Sequence, residues 1–131
     1  MAITLFNPPE LAPPKGFSHG AIGFGRQLFV AGQTGTASNG EMVSDDLVAQ
    51  FDQALANVMS VVKAAGGKVA DIVKINLLIV NRTEYRERGR EIGAAYHKHL
   101  GRHFPAMTLA EVKGLFEAEA KVEIEAVAMI P

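Results

Sequence analysis

The sequence has no cysteine, no excess of basic residues and no long apolar run. Without cysteine the chain cannot form a disulfide, a thiolate nucleophile or a cysteine metal site, which fits a reducing compartment. A formal net charge of −1 gives no basic field for capturing nucleic acid. No apolar run approaches the ~20 residues of a membrane span, and a signal-peptide layout is missing. We predict a cytoplasmic protein that binds neither nucleic acid nor membrane.

What the chain does have is the length and composition of one globular domain. It contains 131 residues, of which 48% are hydrophobic and 21% charged. Four of its six prolines fall in the stretch NPPELAPPKG. Because proline cannot donate to a sheet ladder, we expect residues 1–15 to form an irregular arm on a single domain spanning residues 1–131.

The pattern downstream of the arm predicts alternating strands and helices. FSHGAIGFGRQLFVAGQTG offers two extended runs around a glycine turn, which predicts a hairpin. Ser44 is placed to cap a first helix, whose apolar residues recur at helical spacing from Leu47 to Val62 and which stops at Gly66–Gly67. A second helix should run from near Thr83 to Gly101. Three further strands are predicted in DIVKINLLIV, AMTLAEVKG and KVEIEAVAMI.

This order of elements predicts a two-layer domain of the α+β or α/β class, with helices on one face of the sheet. Apolar residues in several strands point both ways, so the second face needs a cover as well. Another copy of the same chain is the simplest cover, and we therefore expect a homo-oligomer.

Two glutamates are the first candidates for chemistry. Glu123 and Glu125 are two apart on a strand and project from one face. A solvated edge explains such a pair in most proteins, but partial burial would raise a carboxyl pKa and permit general-base catalysis.

The four histidines do not have the spacing of a metal site. His97 and His99 are two apart on the second helix, and Gly101 separates them from His103. Together with His19 they are assigned to surface or capping roles, so we predict no metal and no cofactor.

Five stretches together resemble the Rid family, also called the YjgF/YER057c/UK114 family. GFSHG is similar to its Tyr-Ser-Gln stretch and LFVAGQTG to its Ser-Gly-Gln strand. VVKAAGGKVADIVKINLLIV is similar to its helix, Ala-Gly-Gly turn and strand, FPAMTLAEV to its Pro-Ala-Arg-x-x-x-Glu-Val segment, and KVEIEAVA to its Val-Glu-Ile-Glu-Ala ending. The resemblance runs almost end to end.

The resemblance implies a chorismate-mutase-like α+β fold that has a mixed sheet with two helices on one face and is assembled as a trimer around a sheet-lined barrel. It implies a ligand site in the clefts between subunits and hydrolysis of 2-enamino or 2-imino acids without metal or cofactor. The family's glutamate, which helps to place the attacking water, corresponds to Glu123. Its pocket tyrosine and serine correspond to Phe17 and Ala31, and the arginine that grips the substrate carboxylate corresponds to Met107.

The methionine changes the expected substrate. Hydrogen bonds to a charged group contribute ~1.5–3 kcal/mol each, and a buried unpaired carboxylate costs ~3–5 kcal/mol, so binding of a small imino acid should weaken by roughly two to four orders of magnitude. Arg102 lies five residues upstream, ~16 Å along an extended strand, too far to replace the missing group. A cation from a neighbouring subunit remains a candidate.

The pocket predicted from these positions is apolar, with Phe17, Ala31, Met107 and Leu109 lining it and Glu123 as its ionisable group. Such a lining suits a neutral, hydrophobic small molecule. One hypothesis is hydrolysis of an imine or enamine other than a simple 2-imino acid. A second is a trimer that binds or protects a metabolite without catalysis, and RNA cleavage is a less favoured third.

Overall fold

The computed structural model describes residues 3–131, and its centre is a four-stranded mixed sheet in the order β3-β6-β4-β5. The strands are β1 (Ile3–Phe6), β2 (Gly20–Gly23), β3 (Arg26–Gln33), β4 (Ile72–Ile79), β5 (Ala106–Glu111) and β6 (Val122–Ile130). The helices are α1 (Leu47–Ala64), α2 (Arg82–Glu87) and α3 (Gly89–Leu100), with a 3-10 turn at Val69–Asp71. The α+β class and the mixed sheet predicted from the sequence are confirmed.

Strand pairing determines which residues share a face of the sheet. β4 and β5 run parallel, with Ile75 opposite Met107 and Leu77 opposite Leu109, and α2 and α3 form the crossover between them. β6 runs antiparallel to both β3 and β4 and places Ile124 opposite Leu77. Met107, Leu109 and Ile124 therefore lie on the face that the helices cover.

Helix α1 forms where the apolar spacing predicts it, but the cap is Asp46 and not Ser44. The Asp46 carboxylate accepts the Ala49 N–H at 3.0 Å, while the Ser44 hydroxyl accepts the N–H of Asp46 at 2.9 Å. Ser44 thus shapes the approach to the helix, two residues before the capping position. At the other end Gly66 has φ +86°, which confirms the predicted stop.

The second predicted helix is divided into α2 and α3. Asn81 caps α2 by accepting the Glu84 N–H at 2.9 Å, and the backbone leaves helical geometry at Arg88. The Arg88 guanidinium donates to Asp46 at 2.9 Å and to Glu91 at 2.8 Å, which ties this break to the start of α1. The predicted end at Gly101 is confirmed, with φ +59°.

The predictions for the N-terminal part need two corrections. Residues 3–6 of the supposedly irregular arm form β1, which pairs antiparallel with β2, while residues 1 and 2 lie outside the described part. The predicted β2–β3 hairpin is wrong, because β3 pairs with β6 instead. Gly25, at φ +131°, carries the chain so close to β6 that a Cβ there would lie 2.5 Å from the Ile130 carbonyl oxygen.

The sheet has one buried and one open face. On the helix side, Ile75, Leu77, Val122 and Ile124 are each at most 2% exposed. On the other side, Phe29 is 71% exposed. No helix within residues 3–131 is long and apolar enough to cross a membrane.

Candidate functional site

A cavity of about 550 Å³ opens on the helix side of the sheet, where β5 and the end of β4 meet α2 and α3. Its lining is mainly apolar and aromatic. Among the residues predicted for the site, it includes Phe17, Met107 and Leu109. The volume and the few polar groups fit the usual form of a small-molecule pocket.

The segment before β2 is attached to the start of β5, and this attachment brings Phe17 to the cavity. The Ser18 N–H donates to the Pro105 carbonyl at 3.1 Å, and the Ser18 hydroxyl donates to the Phe104 carbonyl at 2.6 Å. Ser18 is buried and also forms a parallel bridge with Ala106. Phe17 therefore lies beside Met107 although ninety positions separate the two in sequence.

Ala31 and Glu123 lie on the opposite face of the sheet. Glu123 is paired with Leu78 in the register, is half-buried, and has its carboxyl group against Gly32, where a Cβ would come within 2.8 Å. Ala31 lines a separate depression with Phe29. Within one chain, the structure thus brings together three of the five predicted site residues and leaves Ala31 and Glu123 apart from them.

Glu125 shares the face of Glu123, as the strand pattern predicted, but has a different environment. Its carboxylate accepts a hydrogen bond from the Asn76 amide at 3.0 Å and is exposed. Next to this pair, the Lys74 ammonium donates to the Thr108 hydroxyl at 3.0 Å. Glu123 is the more sheltered of the two glutamates.

Two tyrosines supply hydroxyl groups to the cavity wall. The Tyr96 hydroxyl donates to the His103 carbonyl at 2.7 Å, and its ring stacks on Phe104 with 5.5 Å between centroids. The Tyr85 ring meets Phe51 edge-on at 6.4 Å. Burial raises the pKa of Tyr85 to about 12 and that of Tyr96 further, so both hydroxyls stay protonated and act as neutral hydrogen-bond groups.

Glycines on α3 make room for the cavity. Gly89 and Gly93 both line it, one helical turn apart, and a Cβ added at either would meet no atom within 4 Å. Lys15 and His97 are the basic residues of the lining. The sequence analysis did not single out Lys15, although it lies only two residues before Phe17.

The other three histidines hold structure together. The His99 ring lies 2.8 Å from the Asp52 carboxylate, the His103 ring 2.8 Å from the Ile72 carbonyl, and the His19 ring 2.7 Å from a loop carbonyl. Within residues 3–131, no three His, Asp or Glu side chains are grouped as a metal ion would require.

Comparisons with known proteins agree with this fold. The family model Endoribonuclease L-PSP matches residues 8–130. A 2-iminobutanoate/2-iminopropanoate deaminase from Salmonella typhimurium is 32% identical over 111 residues, which cover 82% of this chain and 83% of that protein. The human protein of the same name is 30% identical over 105 residues, covering 79% and 73% of the two chains.

Solved structures are similar over nearly the whole chain. A Rid-family protein from Yersinia pestis, YyfB, whose function is unknown, superimposes with a TM-score of 0.86 at 36% identity, covering 99% of this chain and 100% of that one. The YjgF gene product of E. coli gives a TM-score of 0.71 at 32% identity, with 95% and 94% covered.

Proposed function

Since this chain belongs to the Rid family, within the Endoribonuclease L-PSP family model, we propose that it is a homotrimer that binds a small metabolite in the clefts between its subunits. The reaction we assign is deaminase-type: hydrolysis of an imine or enamine, without cofactor, on a substrate other than a simple 2-imino acid. The deaminase names of its relatives support the reaction class. The cytoplasmic location stays a prediction.

The positions of Met107 and Glu123 support a site shared between subunits. They lie on opposite faces of one sheet, so a ligand in the cavity of one chain does not meet Glu123 of that chain. A trimer that packs the open faces around a barrel brings the Ala31–Glu123 side of one subunit towards the cavity of the next. The trimer is therefore part of the proposed mechanism.

In the proposed reaction, the Glu123 carboxylate positions a water molecule and accepts its proton as the oxygen adds to the carbon of the C=N bond. The resulting amino alcohol expels ammonia after proton transfer to nitrogen, leaving a carbonyl product. General-base assistance of this kind contributes ~10²–10⁴-fold to a rate. Half-burial over Gly32 holds the carboxylate in place for this role.

The observation that carries the substrate assignment is the environment of Met107. Met107 is half-buried in a cavity wall that also contains Phe17 and Leu109, and its thioether cannot pair with a carboxylate. A carboxylate placed against it would lose charged hydrogen bonds of ~1.5–3 kcal/mol each. We therefore expect simple 2-imino acids to be poor substrates.

An imine-hydrolysis assay tests this assignment. Imines are generated in situ from alanine or 2-aminobutanoate with an amino-acid oxidase, and release of keto acid is followed with and without the protein. We expect the wild-type chain to accelerate release far less than an arginine-bearing deaminase, and Met107→Arg to gain activity. Leu109→Arg is the matched control, because it puts the same charge on the same face of β5 two residues away.

Three outcomes separate the hypotheses. Wild-type activity equal to that of an arginine-bearing deaminase would refute the role given to Met107. A gain in Met107→Arg that is lost in the double variant with Glu123→Gln would support hydrolysis. No gain, despite an intact trimer, would favour the second candidate, a trimer that binds a metabolite without catalysis. The separation of Glu123 from the cavity within one chain supports this second candidate.

A further inference from the structure

The cavity has a basic residue at its edge that the resemblance does not supply. Lys15 lines the cavity, is exposed, and directly precedes Gly16, whose φ of +76° turns the chain into Phe17. The ion pairs found in residues 3–131 involve Arg88, Lys98 and His99, so Lys15 has no carboxylate partner there. No Asp or Glu of the described chain lines the cavity either. An anionic group entering the cavity meets Lys15 without competition from a protein carboxylate.

The interior of the cavity is suited to an apolar group. Phe51, Leu77 and Ile92 form part of its wall, and Gly89 and Gly93 leave open space where other residues would project a side chain. A volume of about 550 Å³ corresponds to roughly eighteen water molecules at ~30 Å³ each. That is much more than the side chain of a small imino acid fills, and burying an apolar group there is favourable in proportion to its area.

We propose that the cavity binds an organic acid with a bulky apolar group. The carboxylate of this ligand pairs with Lys15 at the edge of the cavity. Its aromatic or branched end fills the apolar interior beside Gly89 and Gly93, which we call the chamber. The inference rests on the proposed function in taking this cavity as the ligand site. In this proposal Lys15, from the segment before β2, binds the ligand carboxylate in place of the arginine. The carboxylate therefore lies at the edge of the cavity and not beside Met107. The Tyr96 hydroxyl, already bonded to the His103 carbonyl, is not needed for this pairing.

Calorimetric titration of the full chain with three unreactive probes tests the proposal. The probes are 3-phenylpropanoate, its neutral amide, and propanoate, which shares the carboxylate but lacks the ring. We expect the aryl acid to bind about three- to fivefold more tightly than the amide, the scale of a partly exposed ion pair, and this ratio should shrink as salt is added. Propanoate should bind at least about tenfold more weakly than the aryl acid.

Two variants, each with a matched control, test where the carboxylate and the apolar group of the ligand bind. Lys15→Gln should remove the preference for acid over amide, whereas Lys113→Gln, an exposed lysine outside the cavity lining, should keep it. Gly93→Leu should weaken binding of the aryl acid about tenfold or more by filling the chamber. Gly114→Leu, at another glycine with open space around it, should not. Urea unfolding of each variant confirms that it is folded.

The results also separate this inference from the enzymatic proposal. Equal affinity for acid and amide, a preference that survives Lys15→Gln, or no binding of the aryl acid would each overturn the assignment to Lys15 and the chamber. Binding as expected, without hydrolysis of the imine formed from phenylalanine, would leave this inference standing and reject the reaction. Hydrolysis of that imine at an unchanged rate in Lys15→Gln would support the reaction and reject the role of Lys15.

Discussion

The two faces of the four-stranded sheet are built from alternate residues of the same strands, yet they have different surroundings. On the helix face, Leu77 and Ile124 are opposite each other and almost fully buried. On the other face, Phe29 is exposed beside polar pairs such as Asn76 with Glu125. The helix face contributes the core and the cavity, whereas the open face combines exposed apolar area with the carboxylate of Glu123. The first is covered by helices of the same chain, whereas the second is uncovered in one chain and would be covered in the proposed trimer.

The largest expected effect concerns the open face. Phe29→Lys should convert the proposed trimer into monomers, because a buried ammonium would face the apolar surfaces of the neighbouring copies. Sedimentation at micromolar concentration measures this change. Phe116→Lys is the control, since Phe116 is 98% exposed in the β5–β6 loop, away from the sheet face. A wild-type chain that sediments as a monomer would refute the shared site.

The next largest effect concerns the helix face. Ile124→Ala, at a position with no exposed surface, should lower the free energy of unfolding by ~2–5 kcal/mol through lost burial and a residual cavity. Urea denaturation measures the loss. Its companion Val127→Ala, on the open face of the same strand, should cost much less when both are compared in the Phe29→Lys background. Equal costs would mean that the two faces do not differ as described.

A smaller effect is expected where α1 begins. The hydrogen bond from Arg88, with help from the Ala49 N–H, lowers the pKa of Asp46 below its ordinary value of 3.8. Asp46 therefore stabilises the fold fully at pH values above its pKa in the unfolded chain. This contribution is lost as the pH falls through the lower pKa that Asp46 has in the native state. Asp46→Ala should cost ~1 kcal/mol at pH 7, the usual value of a helix cap. The difference from wild type should shrink by pH 3 in urea titrations, and a constant difference would contradict this account.

The smallest effect is a gain in stability. Gly93→Ala, inside α3 and facing the open cavity, should stabilise the fold by ~0.5–1 kcal/mol, because alanine has the higher helix propensity and its methyl group meets nothing within 4 Å. Gly66→Ala is the matched control: the space there is equally open, but φ is +86°. It should destabilise the fold, and thermal unfolding distinguishes the two signs.

Elements with strong local patterns were predicted well. The spacing from Leu47 to Val62 predicted α1, and the alternation in KVEIEAVAMI predicted β6 and the shared face of Glu123 and Glu125. Where several local signals compete, prediction was weaker. Ser44 and Asp46 are both good capping residues, and in the structure Asp46 caps the helix while it also accepts a hydrogen bond from Arg88 of a distant segment.

Long-range pairing accounts for the errors. The runs that became β2 and β3 have the composition of a hairpin, but each found a better partner elsewhere, in β1 and β6. The candidate site shows the same limit. The family resemblance indicated Met107 and Phe17 as site residues. That Lys15 and Gly93 also line the cavity, with open space beside Gly93, follows only from the tertiary structure.

The sequence by itself determined the family, the α+β class and the main helices and strands, because each depends on local pattern or on residue identity. Only the tertiary structure decided that Met107 and Glu123 lie on opposite faces of one sheet, that β3 joins β6, and that a lysine lies beside the apolar cavity. These features depend on register and on contacts between distant segments. Hydrophobic periodicity does not encode them, because the same alternation fits several strand orders.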